Sequence, residues 1–462
     1  MSKIVDKVYS FLPVWLQNVG ISAYGYYWYK RRFGGVFKAE LKAYNEREFY
    51  TKHQWDSYQT EELRKLLVHA FDHVPFYTEK YTNHGITREF LQNIQLAEIN
   101  KLPFLEKEEL RKYGTTTLLS KIKDSSGEFY GSSGTTGTPT QIYFSKPFHQ
   151  KWSAAFESRI RKWAGIDYKT PRGMIGGRRV LPGSSNKKPF YRYNWFEKQV
   201  YFSAYHISPS TVENYLHGIK KYKLEYMNGY AVSNYSLAKF LVDGKYDVPK
   251  LKAVITSSEK LNPEMREVFQ QAYGCKTFDS YSGVEACGLI SETEKGELLV
   301  SPDVGIMEFL DSNGNEVKPG EAGEIISTGL INYDQPLIRY RIGDTAILSK
   351  TQETATGHAM IKIDEIQGRI EDKVVAKDGR EMVRFHGLYI NIPHLITAQI
   401  IQNDYDVFTF NLVVEEDFDP AYEEIIIKRL ESQVGKVKTT FNHVSEIPKS
   451  ANGKFRAVIS EL

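Results

Sequence analysis

Apolar positions recur at helical spacing along much of the chain. Leu63, Leu66, Leu67 and Ala70 share one helical face within residues 58–80, and we expect Pro75 to end that helix. The same spacing predicts further helices at 106–113, 147–165, 208–222, 231–243 and 263–274. The last of these ends in a glycine, which is typical of a helix C-terminus.

Short strand-like segments alternate with the later helices. They cover residues 141–145, 223–230, 251–258 and 276–282. Strands that alternate with helices predict a mostly parallel sheet with helices on its faces. Such sheets bind ligands at the carboxyl ends of their strands, where Ser257, Ser258 and the segment 281–285 are expected.

The pattern changes after about residue 300. Short strands joined by turn-rich segments predict a small antiparallel barrel or sheet, and after Gly368 the chain restarts with a strand–helix–strand stretch. We therefore predict an α/β protein. Its large N-terminal domain, 1–367, has mixed or parallel sheets flanked by helices and a β-rich subdomain at about 300–367; a small α+β domain follows at 368–462.

Composition narrows the class of protein. The chain has 462 residues, 41% of them hydrophobic and 25% charged, as expected for a soluble globular protein of two or three domains. A net charge of +3 argues against a dedicated nucleic-acid binder. Cys275 and Cys287 are the only cysteines, which favours a reducing compartment. With no signal peptide evident, we expect a cytoplasmic protein.

The N-terminal segment is rich in aromatic residues and ends in Lys30, Arg31 and Arg32. It contains nothing close to the roughly 18 consecutive apolar residues of a membrane span. We favour a packed pair of helices here, and contact with a membrane surface remains the alternative.

Residues 130–140 read YGSSGTTGTPT, a run of glycines and hydroxyl side chains. A surface loop has this composition, and so has a phosphate-binding loop whose backbone N–H groups surround an anion. The spacing of a P-loop is missing, together with its lysine, which argues against a P-loop NTPase or a kinase.

Four segments in order resemble the core motifs of adenylate-forming enzymes, most of all the phenylacetate–CoA ligase and CapK-like branch. They are SSGTTGTPT (132–140), YSGVE (281–285), YRIGD (340–344) with GRIED (368–372), and PKSANGK (448–454). The resemblance covers nearly the whole chain. It implies that a carboxylate attacks the α-phosphate of ATP, that pyrophosphate leaves, and that a thiol or amine then displaces AMP while a mobile C-terminal lid domain moves.

The resemblance also implies the nucleotide site. Phosphates would be bound by Ser132, Ser133, Gly134, Thr135, Thr136 and Gly137. Thr138 stands where relatives often have lysine, so the loop lacks one cation, which we expect to slow pyrophosphate departure without abolishing activity. The other nucleotide contacts would come from Ser258, Glu259, Tyr281, Ser282, Arg341 and Asp344.

Individual roles follow from the matching motif positions. Tyr281 would stack on adenine, Glu285 would hold Mg²⁺, and Asp344 would accept hydrogen bonds from both ribose hydroxyls. Ser282 replaces a family glycine, and Arg341 would support the loop or reach phosphate.

The C-terminal motifs imply a hinge and a catalytic lysine. Arg369 follows the hinge glycine and joins Glu285 and Lys454 in the expected catalytic set, and Glu371 with Asp372 marks the pivot. Lys454 would bridge the carboxylate and the α-phosphate, where a cation offsets developing negative charge.

The acyl pocket is expected around Tyr130, His206, Tyr230 and Ser257, with Asn228 and Gly229 beside them. Many relatives carry a Cys/His zinc cluster after the magnesium glutamate. Only Cys287 stands in the corresponding segment, so we predict no zinc site.

The acceptor, the carboxylate and the oligomeric state stay open. CoA is the default acceptor for phenylacetate–CoA ligase relatives, whereas CapK-like proteins, linked with surface polysaccharides, suggest an amine. A non-catalytic scaffold of the same fold is the lesser alternative. A degenerate scaffold would be expected to have lost Glu285, Asp344 or Lys454, and all are retained.

Overall fold

The computed structural model describes most of the chain. The described residues are 9, 12–131, 140–177, 180–181, 187–367, 374–377, 381–382, 388–389, 392–447 and 457–462.

Helices dominate the first part of the chain and flank the strands later. Their bounds are Val14–Phe33, Phe37–Arg47, Lys52–His73, Pro75–Asn83, Arg88–Asn93, Lys107–Tyr113, Lys146–Phe156, Val212–Lys221, Ala231–Asp243, Pro263–Tyr273 and Ala421–Val434. None of these helices is long and apolar enough to cross a membrane.

Local sequence signals explain where several helices begin and end. Thr51 and Gln54 form a capping box at the start of Lys52–His73. The helix stops before Pro75, as predicted, and Pro75 then begins a second helix that the sequence pattern did not predict. Proline is tolerated at the first helical position, where its missing N–H would have no intrahelical partner.

Two other helices show local features at their ends. Helix Pro263–Tyr273 begins at an Asn262 cap and ends at Gly274, which has a positive φ of 63°. Helix Lys146–Phe156 passes into a π-helical turn, Glu157–Arg161, so the helix expected at 147–165 is present with a change of winding.

Strands are short and numerous. In chain order they are β1 Glu128–Gly131, β2 Gln141–Phe144, β3 Arg172–Gly176, β4 Tyr191–Asn194, β5 Gln199–Ser203, β6 Tyr226–Tyr230, β7 Ala253–Ser257, β8 Lys276–Tyr281, β9 Ile290–Glu292, β10 Leu298–Val300, β11 Gly305–Leu310, β12 Ala322–Gly329, β13 Tyr340–Leu348, β14 Lys362–Gln367, β15 Val374–Val375, β16 Glu381–Met382, β17 Leu395–Asp404, β18 Val407–Val414, β19 Lys438–His443 and β20 Val458–Ser460.

A twelve-stranded sheet forms the centre of the large part of the molecule, in the order β11-β12-β13-β14-β10-β9-β8-β7-β6-β3-β5-β4. Strands β5, β3, β6, β7 and β8 run parallel, as predicted. The later strands are antiparallel, as predicted, but they extend this same sheet instead of forming a separate barrel. The reason is that β9 turns back and pairs with the free edge of β8.

Both faces of the parallel strands are buried. Along β7, Ile255 joins a core cluster with the N-terminal helices, whereas Val254 joins a second cluster on the other face. This alternation is the pattern of a doubly covered sheet and confirms the α/β class.

The C-terminal part builds its own four-stranded sheet, in the order β19-β18-β17-β20. Helix Ala421–Val434 buries Ile426 and Leu430 in the same cluster as Phe408 and Phe410. The β17–β18 hairpin adds a strand to the predicted strand–helix–strand order. The expected boundary at 367/368 stays a prediction, because 368–373 lie outside the described residues.

Candidate active site

The carboxyl ends of neighbouring parallel strands meet at one edge of the large sheet. Tyr230 at the end of β6 pairs in register with Ser257 at the end of β7, and Ser257 pairs with Ser280, next to Tyr281. The sheet therefore brings Tyr230, Ser257 and Tyr281 to a single edge, as the alternation of strands and helices predicted.

Tyr281 meets Asp344 at this edge. The Tyr281 hydroxyl donates a 2.8 Å hydrogen bond to Oδ2 of Asp344. Burial, with the nearby Asp344 charge, raises the pKa of Tyr281 well above its usual value, so the hydroxyl remains a donor. The structure thus joins two segments that are far apart in sequence.

A bulge in β13 positions Asp344. Arg341 pairs with Ile326 and Thr345 with Glu324, so residues 342–344 lie opposite one residue of β12. Gly343 has a positive φ of 86°, which a side chain would strain. Asp344 is therefore a residue of a bulged strand and not of a simple turn.

Glu285 lies in the loop after β8 and is buried. Its Oε1 accepts long hydrogen bonds from Thr140 at 3.4 Å and from the Tyr340 hydroxyl at 3.5 Å. A Cβ on Gly283 would lie 2.2 Å from Oε2, so a side chain at position 283 would displace this carboxylate. Thr140 is the last residue of the motif 132–140, so this end of the motif lies at Glu285.

This arrangement fits a magnesium ion. Mg²⁺ prefers oxygen ligands and commonly uses one or two carboxylates together with substrate phosphates. Glu285 offers a carboxylate beside hydroxyl groups and at the end of the glycine-rich segment. Among the described residues, no group of three or more His, Cys, Asp or Glu side chains is arranged to hold a metal ion, and the expectation about zinc stays a prediction.

Two of the expected nucleotide contacts are engaged elsewhere. The Arg341 guanidinium bonds both oxygens of Glu324, at 3.2 and 2.6 Å, and lies 3.5 Å from Glu106. This favours a supporting role over direct contact with phosphate. Glu259 accepts a 2.8 Å hydrogen bond from the Val232 backbone N–H in the first turn of helix Ala231–Asp243.

Two serines of the expected set lie at the strand ends. Ser258 has a positive φ of 72°, an uncommon conformation for a residue with a side chain. Ser282 donates a 3.1 Å hydrogen bond from its hydroxyl to the Gly283 carbonyl. Their predicted nucleotide contacts stay predictions.

The expected acyl-pocket residues come from several elements of the fold. The Tyr230 hydroxyl lies against Gly177, and a Cβ added to Gly177 would be 2.5 Å from that hydroxyl oxygen. The buried Oδ1 of Asn228 on β6 has no hydrogen-bond partner among the described residues. Gly229 has a φ of 125° and closely approaches the Ile175 carbonyl of β3.

His206 follows the carboxyl end of β5, and Tyr130 lies on β1. His206 stacks on Phe190 with ring centroids 4.8 Å apart, and its Nδ1 lies 2.7 Å from the Ser203 hydroxyl, an arrangement typical of a packing histidine. Tyr130 on β1 bonds Glu128 and contacts the ring of Trp28 in the N-terminal helix.

Several predicted site residues lie outside the described residues. They are Ser132, Ser133, Gly134, Thr135, Thr136, Gly137, Thr138, Arg369, Glu371, Asp372 and Lys454. Their roles stay predictions.

Sequence reasoning assigned no role to three residues that support the site. Thr140 ends the motif 132–140 and Tyr340 begins the motif 340–344, so their place in the motifs could have indicated a role.

Gln335 lies in no motif. It is fully buried, accepts a 2.7 Å hydrogen bond from the Tyr143 N–H and donates to the Gly114 and Gln141 carbonyls. It thereby anchors the strand that follows the glycine-rich segment.

Comparisons with known proteins agree with this architecture. The family described as the CapK C-terminal domain matches residues 375–461. Protein CapK of Staphylococcus aureus is 24% identical over 475 residues, covering 99% of this chain and 100% of that protein. Phenylacetate-coenzyme A ligase of Pseudomonas putida is 24% identical over 345 residues, covering 69% of this chain and 72% of that protein.

A solved structure shares the fold. The crystal structure of 2-hydroxyisobutyryl-CoA ligase in complex with 2-HIB-AMP and CoA aligns with a TM-score of 0.59 and 18% identity. The alignment covers 90% of this chain and 91% of that one.

Proposed function

Because this chain belongs to the adenylate-forming enzymes, in the branch of CapK and the phenylacetate–CoA ligases, we propose that it activates a carboxylic acid with ATP. The products of the first step are an acyl-adenylate and pyrophosphate. In the second step the acyl group passes to a thiol, that of CoA, and AMP leaves.

The contact between Tyr281 and Asp344 supports this proposal most directly. It places an aromatic ring beside a carboxylate at the ligand-binding edge of a parallel sheet. A ring that stacks on a base and a carboxylate that accepts hydrogen bonds from two hydroxyls together suit a nucleoside. Glu285 lies four residues beyond Tyr281 and is bonded by Thr140 at the end of the glycine-rich segment.

Each residue has a proposed role in the first step. Tyr281 stacks on adenine, Asp344 accepts hydrogen bonds from the ribose, and Glu285 holds Mg²⁺. Magnesium, when bound, neutralises part of the phosphate charge. Lys454 stabilises the charge that develops as the substrate carboxylate oxygen bonds to the α-phosphorus and the bond to pyrophosphate breaks.

We also propose a boundary between a large domain, 1–367, and a lid domain, 368–462. Arg369, Glu371 and Asp372 are at the proposed hinge. A hinge needs few residues, because a small number of backbone dihedrals can absorb a large rotation.

The test is exchange of labelled pyrophosphate into ATP with pools of aryl, fatty, hydroxy and amino acids. We expect one pool to drive exchange. Lys454→Ala is expected to lower the rate by roughly 10²–10³-fold, as for loss of a group that stabilises the transition state. Glu285→Gln is expected to lower it strongly as well.

Matched controls separate lost chemistry from altered surface charge. Lys436→Ala and Glu61→Gln change exposed residues of the same types and should retain exchange. ADP in place of AMP and pyrophosphate would exclude the ligase. ATP binding without exchange in any pool would favour the scaffold.

An amine acceptor is the second candidate. The match of residues 375–461 to the CapK C-terminal domain, together with the alignment to CapK along nearly the whole chain, favours it. Once a carboxylate is found, AMP release would be followed with CoA and with amino sugars in parallel. The acceptor that accelerates release and carries the acyl group in the product decides between thiol and amine.

A further inference from the structure

The buried side of helix Val14–Phe33 carries the polar Gln17, Ser22 and Arg31 as well as the apolar Ile21 and Phe33. Gln17 is 4% exposed, and its Oε1 accepts a hydrogen bond from the buried Arg192 guanidinium. The Ser22 hydroxyl accepts a 3.1 Å hydrogen bond from the Trp195 N–H. Arg31 is also buried and donates to the Phe144 carbonyl at 2.6 Å.

The opposite side of this helix is apolar and exposed. We define the aromatic face by residues at helical spacing and by the adjoining turn between β4 and β5. It comprises Trp15, Val19, Ala23, Tyr26, Trp195 and Phe196. Trp15 is 65% exposed and Tyr26 46%. The Phe196 ring lies 4.9 Å from that of Tyr26, so the helix and the turn form one surface.

An ordinary surface helix turns its apolar side toward the core and its polar side outward, whereas this helix buries a mixed set of side chains and exposes a mainly apolar one. Polar side chains that face the protein interior while apolar ones face outward are the arrangement of helices in contact with lipid. Tryptophan and tyrosine are enriched where a membrane meets water, because their rings are apolar and their N–H or O–H groups are polar.

The charges around the aromatic face are mostly basic. Glu128 of β1 places an exposed carboxylate beside this helix, where it accepts a 2.7 Å hydrogen bond from Tyr27 and lies 3.9 Å from Arg31. The helix contains no Asp or Glu and ends in basic residues, of which Lys30 is exposed. In the turn, Lys198 is exposed, whereas Glu197 is 2% exposed and lies 3.2 Å from the Arg172 guanidinium. Cations therefore reach solvent here and the carboxylate of the turn does not.

We propose that the aromatic face docks onto a lipid bilayer that carries anionic headgroups. The helix lies in the interface with its rings among the headgroups, while Lys30 and Lys198 face lipid phosphates. A second copy of the chain fits this face less well. Two such faces would bring their lysines into one interface with no exposed carboxylate from the face to pair with them.

The test is flotation of the full chain with vesicles of phosphatidylcholine and phosphatidylglycerol at 3:1, beside vesicles of phosphatidylcholine alone. The protein should float with the anionic vesicles and less with the neutral ones. The doubly substituted Trp15→Ser/Tyr26→Ser should bind about tenfold less or worse, because it loses two interfacial rings. Tyr405→Ser, at a tyrosine that is 47% exposed elsewhere, is the matched control and should bind normally.

A charge variant provides an independent check. Lys30→Glu/Lys198→Glu should lower binding to the anionic vesicles, and added salt should weaken binding by the unsubstituted protein. Pyrophosphate exchange and circular dichroism should be unchanged in all variants, because the substituted residues are exposed and outside the proposed site. Failure of the protein to float would overturn the proposal, as would normal binding by Trp15→Ser/Tyr26→Ser. Self-association in light scattering that this variant abolishes would instead assign the face to a second copy.

Discussion

Replacing Tyr281 by phenylalanine removes one hydroxyl and keeps the ring. In the structure this hydroxyl donates a 2.8 Å hydrogen bond to the Asp344 carboxylate. Because burial and the Asp344 charge raise the pKa of Tyr281 well above its usual value, the donor stays protonated throughout the assay range. The substitution therefore tests how much this hydrogen bond contributes to ATP binding by holding the Asp344 carboxylate in position for the ribose.

The length of this hydrogen bond and the burial of its two side chains determine how much ATP affinity Tyr281→Phe should lose. A hydrogen bond to a charged group contributes about 1.5–3 kcal/mol, and the lower end applies because both side chains are only half-buried. An effect near 1.5 kcal/mol corresponds to about a tenfold change in affinity. Tyr281→Ala also loses the stacking surface, which adds about 1–3 kcal/mol.

The assay is pyrophosphate exchange at varied ATP concentration. Tyr281→Phe is expected to raise the KM for ATP by about tenfold with a smaller change in kcat, and Tyr281→Ala to raise it further. Tyr235→Phe is the matched control. The Tyr235 hydroxyl donates a 2.6 Å hydrogen bond to Glu264 between two helices, so this variant should lose stability without a change in the KM for ATP.

Two results would refute the reasoning. If Tyr281→Phe leaves the KM for ATP within about twofold, the hydroxyl does not prepare a nucleotide site. If Tyr281→Phe and Tyr235→Phe raise the KM equally, the effect comes from a general loss of stability.

Three further predictions concern the fold around the site. Burial, followed by the nearby Glu292 charge, raises the pKa of Asp279 to about 6, so the folded protein is most stable with this carboxyl protonated and loses stability as pH rises through 6. Asp279→Asn should therefore raise the free energy of unfolding, measured by urea denaturation, by about 1–2 kcal/mol at pH 8 and by less at pH 4. Burial raises the pKa of Cys275 and Cys287 to about 12, so neither should react with a thiol reagent at pH 8 until the protein is unfolded, and rapid native labelling would contradict this. Gly229→Ala should cost about 3 kcal/mol or more, because φ is 125° and a Cβ would lie 1.8 Å from a backbone oxygen of β3; unchanged thermal stability would show that the strand ends are loosely packed.

Sequence reasoning succeeded where the signal was local. The helix predicted at 231–243 has those bounds, and the strands expected at 251–258 and 276–282 are β7 and β8. Hydrophobic periodicity, capping residues and glycine stops are read within a few residues, so one sequence is enough to locate them. The helix within 58–80 ends before Pro75 as predicted, and the second helix was missed because a proline can begin a helix as well as end one.

The sequence by itself therefore determined the α/β class and the order of the motifs, since both depend on short-range patterns. Only the tertiary structure decided that Tyr281 reaches Asp344, 63 residues away, and that the later strands extend one sheet. Strand pairing and bulges depend on edges that are distant in sequence. The aromatic side of helix Val14–Phe33 was visible as composition, but its outward direction follows from buried contacts that are distant in sequence. Gln17 bonds the Arg192 guanidinium and Arg31 bonds the Phe144 carbonyl, and no local pattern supplies these partners.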